Sequence, residues 1–246
     1  MKKYESIPII LIFIAEVLLF SGYKTGSVAV HSLNILFIIA IVILKKDIKL
    51  VQALSLVSLF RIINTSMPVF FSFTIYWFAS LYGIMFFSIA LIIKDQGLRP
   101  ADLGLTLKGS WLWPFAVLLG AGLALIEYRV LMPGALIPGF TAIEILKLGL
   151  IMFFFVGLVE ELIFRSMVQQ GLEEKIGLTN GLLVASLIFG LMHSGYSNYY
   201  EILFASFAGL VLGFCFQRTR SLPFVVIAHA ANNIILFGVL PFLKNL

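Results

Sequence analysis

Three short patterns in this chain set ionisable and amide side chains inside runs as apolar as a bilayer interior. In GLVEELIFRS (157–166), which follows KLGLIMFFFV, Glu160 and Glu161 are adjacent and Arg165 lies four residues beyond Glu161. His193 sits in LVASLIFGLMHSG, and His229 and Asn233 sit four apart in SLPFVVIAHAANNIILFGVL. Ionisable groups at membrane depth are expensive and by default mark a functional site with partners. Glu161 and Arg165 have the spacing and order of a favourable helical ion pair, which reads as a self-neutralising brace. Glu160 has no basic residue at helical spacing on its own face, so it must be protonated, solvated or matched from another helix. A carboxylate and two imidazoles in a shielded pocket suit proton transfer, and an amide side chain can donate to an oxyanion. These are the parts of a hydrolase. Glu160, His193 and His229 could instead bind zinc, for which carboxylate and imidazole are good ligands, although no HExxH-type spacing supports it. Taken singly, each residue has a packing explanation, such as Asn233 beside Asn232 joining two helices; taken together, that explanation weakens.

The elements that must position these groups follow from composition. Of 246 residues, 61% are hydrophobic and 12% charged, with 24 phenylalanines and a mean hydropathy of +1.08. Soluble domains are nearer half apolar and a quarter charged. Apolar runs recur from end to end, each long enough to cross the roughly 30 Å hydrocarbon layer as a helix. They are apolar on all sides rather than alternating, which excludes a transmembrane β-barrel. The expected fold is therefore all-α, a polytopic transmembrane helical bundle of eight or nine helices, with spans at 7–23, 28–44, 48–66, 69–93, 111–132, 143–172, 179–197, 201–217 and 222–240. The third is the weakest, since Arg61, Asn64 and Thr65 dilute it, and it could be interfacial or re-entrant. The first resembles a signal peptide in having a basic start, but no A-x-A-like site follows it, so it reads as a retained transmembrane helix. The lone Cys215 lies in an apolar run as a packing residue.

The turn-rich linker at 94–110 divides front helices (1–110) from a core (111–246) that carries all three polar patterns. Lysine and arginine collect on cytoplasmic sides. With the amino terminus in the cytoplasm, Lys2, Lys3, Lys45, Lys46, Lys49, Lys94, Arg99, Lys108, Lys175, Arg218 and Arg220 share that side, against Lys24, Arg129, Lys147 and Lys244 opposite. This insertion bias accounts for the net charge of +5, so nucleic-acid binding is not implied. At about 1.5 Å per residue, Glu160 and His193 lie about 18 and 21 Å from the cytoplasmic surface, and His229 and Asn233 about 10 to 16 Å. Three helices thus bring their polar groups to comparable depth.

Glu160-Glu161-x-x-x-Arg165, Phe189-x-x-x-His193 and His229-x-x-x-Asn233 resemble the EExxxR, FxxxH and HxxxN motifs of the CPBP family of intramembrane proteases, which includes CAAX prenyl endopeptidases of the Rce1 type and bacterial immunity-type relatives. The resemblance covers about 143–240. It implies a peptidase in which Glu160, helped by His193, activates a water, His229 and Asn233 stabilise the oxyanion, and Glu161 and Arg165 hold the geometry. It also implies membrane-associated or prenylated peptides as substrates, cut after the lipidated cysteine, with membrane lipid as a partner. Zinc is left open, as is any other cofactor. A cavity opening to the cytoplasm and sideways to lipid would admit such a peptide with its lipid still in the membrane. Two other readings of the same residues are a proton-coupled transporter or channel, which the lack of internal repeats disfavours, and a non-catalytic membrane scaffold.

Overall fold

The structure is a computed structural model that describes residues 1–44, 48–69 and 74–243. Lys45, Lys46 and Lys244 of the charge count, and residues 70–73 of the fourth expected span, lie outside the described residues.

The described chain is all-helical, with nine long helices: α1 Lys3–Phe20, α2 Lys24–Leu44, α3 Lys49–Ser66, α4 Ile75–Gln96, α5 Trp113–Leu131, α6 Ala142–Ile176, α7 Leu178–Leu191, α8 Tyr199–Thr219 and α9 Leu222–Gly238. Seven helical runs are long and apolar enough to cross a membrane, all except α1 and α3, with α7 counted through the turn to Tyr196. This is an integral, multi-pass membrane protein, and the nine expected spans correspond one to one with its helices.

Local sequence sets several of the boundaries. Thr141, Asn198 and Ser221 each accept a hydrogen bond from a backbone N–H in the first turn of α6, α8 and α9, and Pro223 opens α9 where its missing N–H costs nothing. At the far end of α3, Pro68 follows Met67 and closes the helical run. Helix α3 packs inside the bundle: Gln52, Ser58 and Arg61 are buried along with Leu50, Leu54 and Leu56. Its polar side chains face protein rather than lipid, which explains the low hydropathy of a helix inside the bundle.

Helix α6 is the hub, touching α3, α4, α7 and α9, while α5 lies along α9, α7 along α8, and α1 and α2 pack in sequence onto α3. Its ladder widens to π-type turns over Ile151–Gly157 and Leu162–Gln169, on either side of a short α-helical stretch, Leu158–Glu161. Wide turns of this kind commonly mark functional sites. The 97–110 linker is clamped onto the bundle: Leu222 N–H donates to the Gly104 carbonyl at 2.8 Å and Ser166 Oγ to the Leu103 carbonyl at 2.6 Å. Gly104 has φ +77°, and a Cβ there would lie 3.0 Å from the Arg220 carbonyl, so only glycine fits.

Close helix contacts rest on small residues, as expected in lipid. A Cβ on Gly120 of α5 would collide with the Ala228 carbonyl of α9, whereas one on Gly122 would meet nothing within 4 Å. Gly120→Ala is therefore expected to destabilise the protein by about 1–3 kcal/mol through overpacking. Gly122→Ala should be neutral or gain up to about 1 kcal/mol. Thermal unfolding midpoints of the two detergent-purified variants check this, and equal midpoints would refute the close approach.

Candidate active site

Glu161 and Arg165 lie one turn apart on α6, with neither side chain exposed, and Arg165 Nε donates to Glu161 Oε2 at 2.8 Å. The other carboxylate oxygen, Oε1, lies 2.8 Å from Nδ1 of His229 on α9. Glu161 therefore joins two helices as well as pairing along one. The Arg165 guanidinium lies over the Phe189 ring at 4.8 Å, while its Nη1 and Nη2 find no acceptor among the described residues. A cation on an aromatic face partly offsets that burial. Phe189 also packs against His193 and His229, at ring separations of 5.2 and 6.0 Å, so the aromatic residue of FxxxH spaces the two imidazoles.

Glu160 points the other way, its side chain 12% exposed, with Oε2 3.8 Å from His229 Nε2. Tyr82 of α4 donates its hydroxyl to Glu160 Oε1. This is the partner from another helix that the sequence demanded without identifying it. His229 thus presents Nδ1 to Glu161 and Nε2 towards Glu160. His193 lies just past the end of α7, and its Nδ1 is 3.1 Å from the Phe189 carbonyl. A carbonyl only accepts, so Nδ1 carries the hydrogen and Nε2 is left as the free ring nitrogen. Asn233 accepts from Asn232, which donates to Glu127 of α5 at 2.6 Å.

One cavity of about 340 Å³ gathers Glu160, His193, His229 and Asn233, while Glu161 and Arg165 sit behind its wall. It also takes Arg61 from α3, Tyr82 from α4 and Glu127 from α5, none of which sequence reasoning singled out as a site residue. Arg61 holds the turn that carries His193, donating from Nη2 to the Met192 carbonyl at 2.5 Å and from Nε to Glu16 of α1 at 2.8 Å. Ser194 donates to the other Glu16 oxygen at 2.5 Å, and His31 Nε2 approaches Glu16 at 3.2 Å. This network anchors the His193 turn to α1, α2 and α3.

The opening requires a correction. The expectation put the cavity mouth on the same side as the amino terminus, but the lining residues Leu19, Lys24, Asn64, Thr65, Pro68 and Phe237 all lie at the opposite ends of their helices. Zinc also fails to fit: among the described residues no group of three or more His, Cys, Asp or Glu side chains could hold a metal ion. Glu160, His193 and His229 share the cavity without forming a common ligand sphere.

The fold and site define a polytopic helical membrane protein with a polar cavity built around a buried glutamate pair. Residues 142–235 are similar to the family model described as type II CAAX prenyl endopeptidase Rce1-like, a family of proteases. All three polar motifs fall inside this segment. No curated protein and no solved structure matches the chain.

Removing one partner of a buried ion pair leaves an uncompensated charge, at a cost of about 3–5 kcal/mol. Glu161→Gln should therefore lower the thermal midpoint far more than Glu160→Gln, whose side chain faces the cavity. Equal losses in a detergent unfolding experiment would show that the Glu161 link to Arg165 and His229 does not hold the core together.

Proposed function

We propose that this protein is an intramembrane endopeptidase in which Glu160 activates a water for attack on a peptide carbonyl. The observation that carries the reading is that three separate helices contribute Glu160, His193 and the His229–Asn233 pair to one cavity, within the segment similar to the Rce1-like family model. Tyr82 holds Glu160 Oε1 and leaves Oε2 to take the water's proton, with the free Nε2 of His193 helping to orient that water. As the carbonyl becomes tetrahedral, its oxygen gains negative charge. The Asn233 amide donates to it, and so does His229 from Nε2 when that nitrogen carries a proton, Nδ1–H being committed to Glu161. Collapse of the intermediate breaks the C–N bond, Glu160 returns its proton to the leaving amine, and a carboxylate and a free amine result. The matched family's description extends the reading to CAAX-type substrates, in which the last three residues are removed from a prenylated protein while the lipid stays among the tails.

The test is cleavage of a farnesylated CAAX peptide and of unlipidated membrane peptides by detergent-purified protein, with products identified by mass spectrometry. Glu160→Gln should lower kcat/KM by about 10²–10⁴-fold, as for loss of a general base. Asn233→Ala should lower it by about 10²–10³-fold through kcat, as for loss of an oxyanion donor. A chelator should leave the wild-type rate unchanged, since the donor set does not converge on a metal. An unimpaired Glu160→Gln enzyme would overturn the mechanism.

A further inference from the structure

Two independent asymmetries run along the axis of the bundle. The first is the position of the cavity. Its rim residues Lys24, Pro68, Gly195 and Tyr196 are exposed, and all belong to the ends where α1 meets α2, α3 approaches α4 and α7 turns into α8. In the opposite direction the bundle is close-packed: Leu54, Met85, Ile89 and Ile163 are each at most 1% exposed, and Arg165, Gln169 and Glu173 of α6 are buried between helices. A second hollow of about 310 Å³ on the amino-terminal face is lined by Lys49, Gln96, Asp102, Gln170 and Glu174 among others, and shares no residue with the first. Among the described residues, the exposed rim of the catalytic cavity lies at that end.

The second asymmetry is charge. The face that carries the start of α1 is tied together by Glu5 with Lys175 at 3.0 Å and by Glu173 with Arg220 at 3.0 Å. Among the described residues it holds Lys2, Lys3, Lys49, Lys94, Arg99, Lys108, Lys175, Arg218 and Arg220, and the mouth face holds Lys24, Arg129 and Lys147. Nine against three is a strong insertion bias, and it assigns the amino-terminal face to the cytoplasm.

From these we infer that the catalytic cavity opens on the extracytoplasmic side of the membrane. Resting on the peptidase reading, this makes the substrate a lipid- or helix-tethered peptide whose scissile bond lies at the outer membrane surface; the CAAX-type extension of that reading requires the reverse orientation. Exposed Tyr196, Tyr199 and Tyr200 beside the mouth give it the aromatic collar of a membrane–water interface.

Cysteine accessibility tests the inference without depending on activity. Cys215 is the sole native cysteine, so Cys215→Ser provides a blank background. Into it, Tyr196→Cys and Lys24→Cys are placed at the mouth and Arg99→Cys on the opposite face, and spheroplasts are treated with a membrane-impermeant maleimide before and after permeabilisation. The mouth cysteines are expected to label fully in intact spheroplasts, with no gain on permeabilisation, and Arg99→Cys to label only after it. The reverse pattern overturns the inference, and either mouth variant suffices if the other does not fold. If the labelling comes out as expected but purified protein cleaves no peptide, the orientation stands and the peptidase reading falls. If peptides are cleaved in detergent and the labelling is reversed, only the orientation falls.

Discussion

The core of this structure depends on one buried carboxylate sharing its two oxygens between two helices. Glu161 gives Oε2 to Arg165 and Oε1 to His229, with no exposure of its own side chain. Left without either partner, a charge at this depth would be untenable. The register between α6 and α9 is thereby fixed, because His229 must lie level with Glu161. The same constraint explains the doubled glutamate. Consecutive residues on a helix diverge by about 100°, so anchoring Glu161 against α9 turns Glu160 towards the cavity. Phe189 completes the arrangement by covering the Arg165 guanidinium and separating His193 from His229.

A second network does for His193 what the first does for His229. Helix α7 ends at Leu191, so His193 lies on a turn rather than on a rigid element. Arg61 and Glu16 hold that turn through the Met192 carbonyl and the Ser194 hydroxyl. His31, Ser58 and Asn34 extend the network through α2 and α3. Polar clusters in a low-dielectric interior rigidify when their members are satisfied. The front helices thus add the outer support of the site and, through Tyr82, a direct partner for Glu160.

The helices were legible in the sequence because lipid demands long apolar runs, and the nine expected spans differ from the observed helices mostly by a few residues at their ends. Glu160, His193, His229 and Asn233 were legible because ionisable and amide groups stand out against such runs. Tyr82 did not stand out: in LYGIMFF it is one aromatic among several, and only the fold reveals that its hydroxyl meets a carboxylate. Arg61 and Glu16 lie 45 residues apart, without any spacing that could relate them, and Arg61 reads as a blemish in a weak span. The direction of the mouth was not legible for a different reason. A distance from one face says nothing about which face is open until the residues above and below the site are known.

The position of the mouth also bears on what the polar groups can do. A proton pathway needs ionisable or hydrated groups in succession from one surface to the other. Here the polar cavity runs from Lys24 and Tyr196 inward to Glu160 and His229, backed by the Glu161–Arg165 pair. Beyond them, Met85, Ile89 and Ile163 pack tightly, while Gln169 and Glu173 continue the line of buried polar side chains on α6 to Arg220 at the amino-terminal face. The exposed rim gives water a route to Glu160 from the mouth, as a hydrolase requires. Among the described residues, the polar cavity and the hollow on the amino-terminal face share no lining residue, an arrangement that suits chemistry in a pocket.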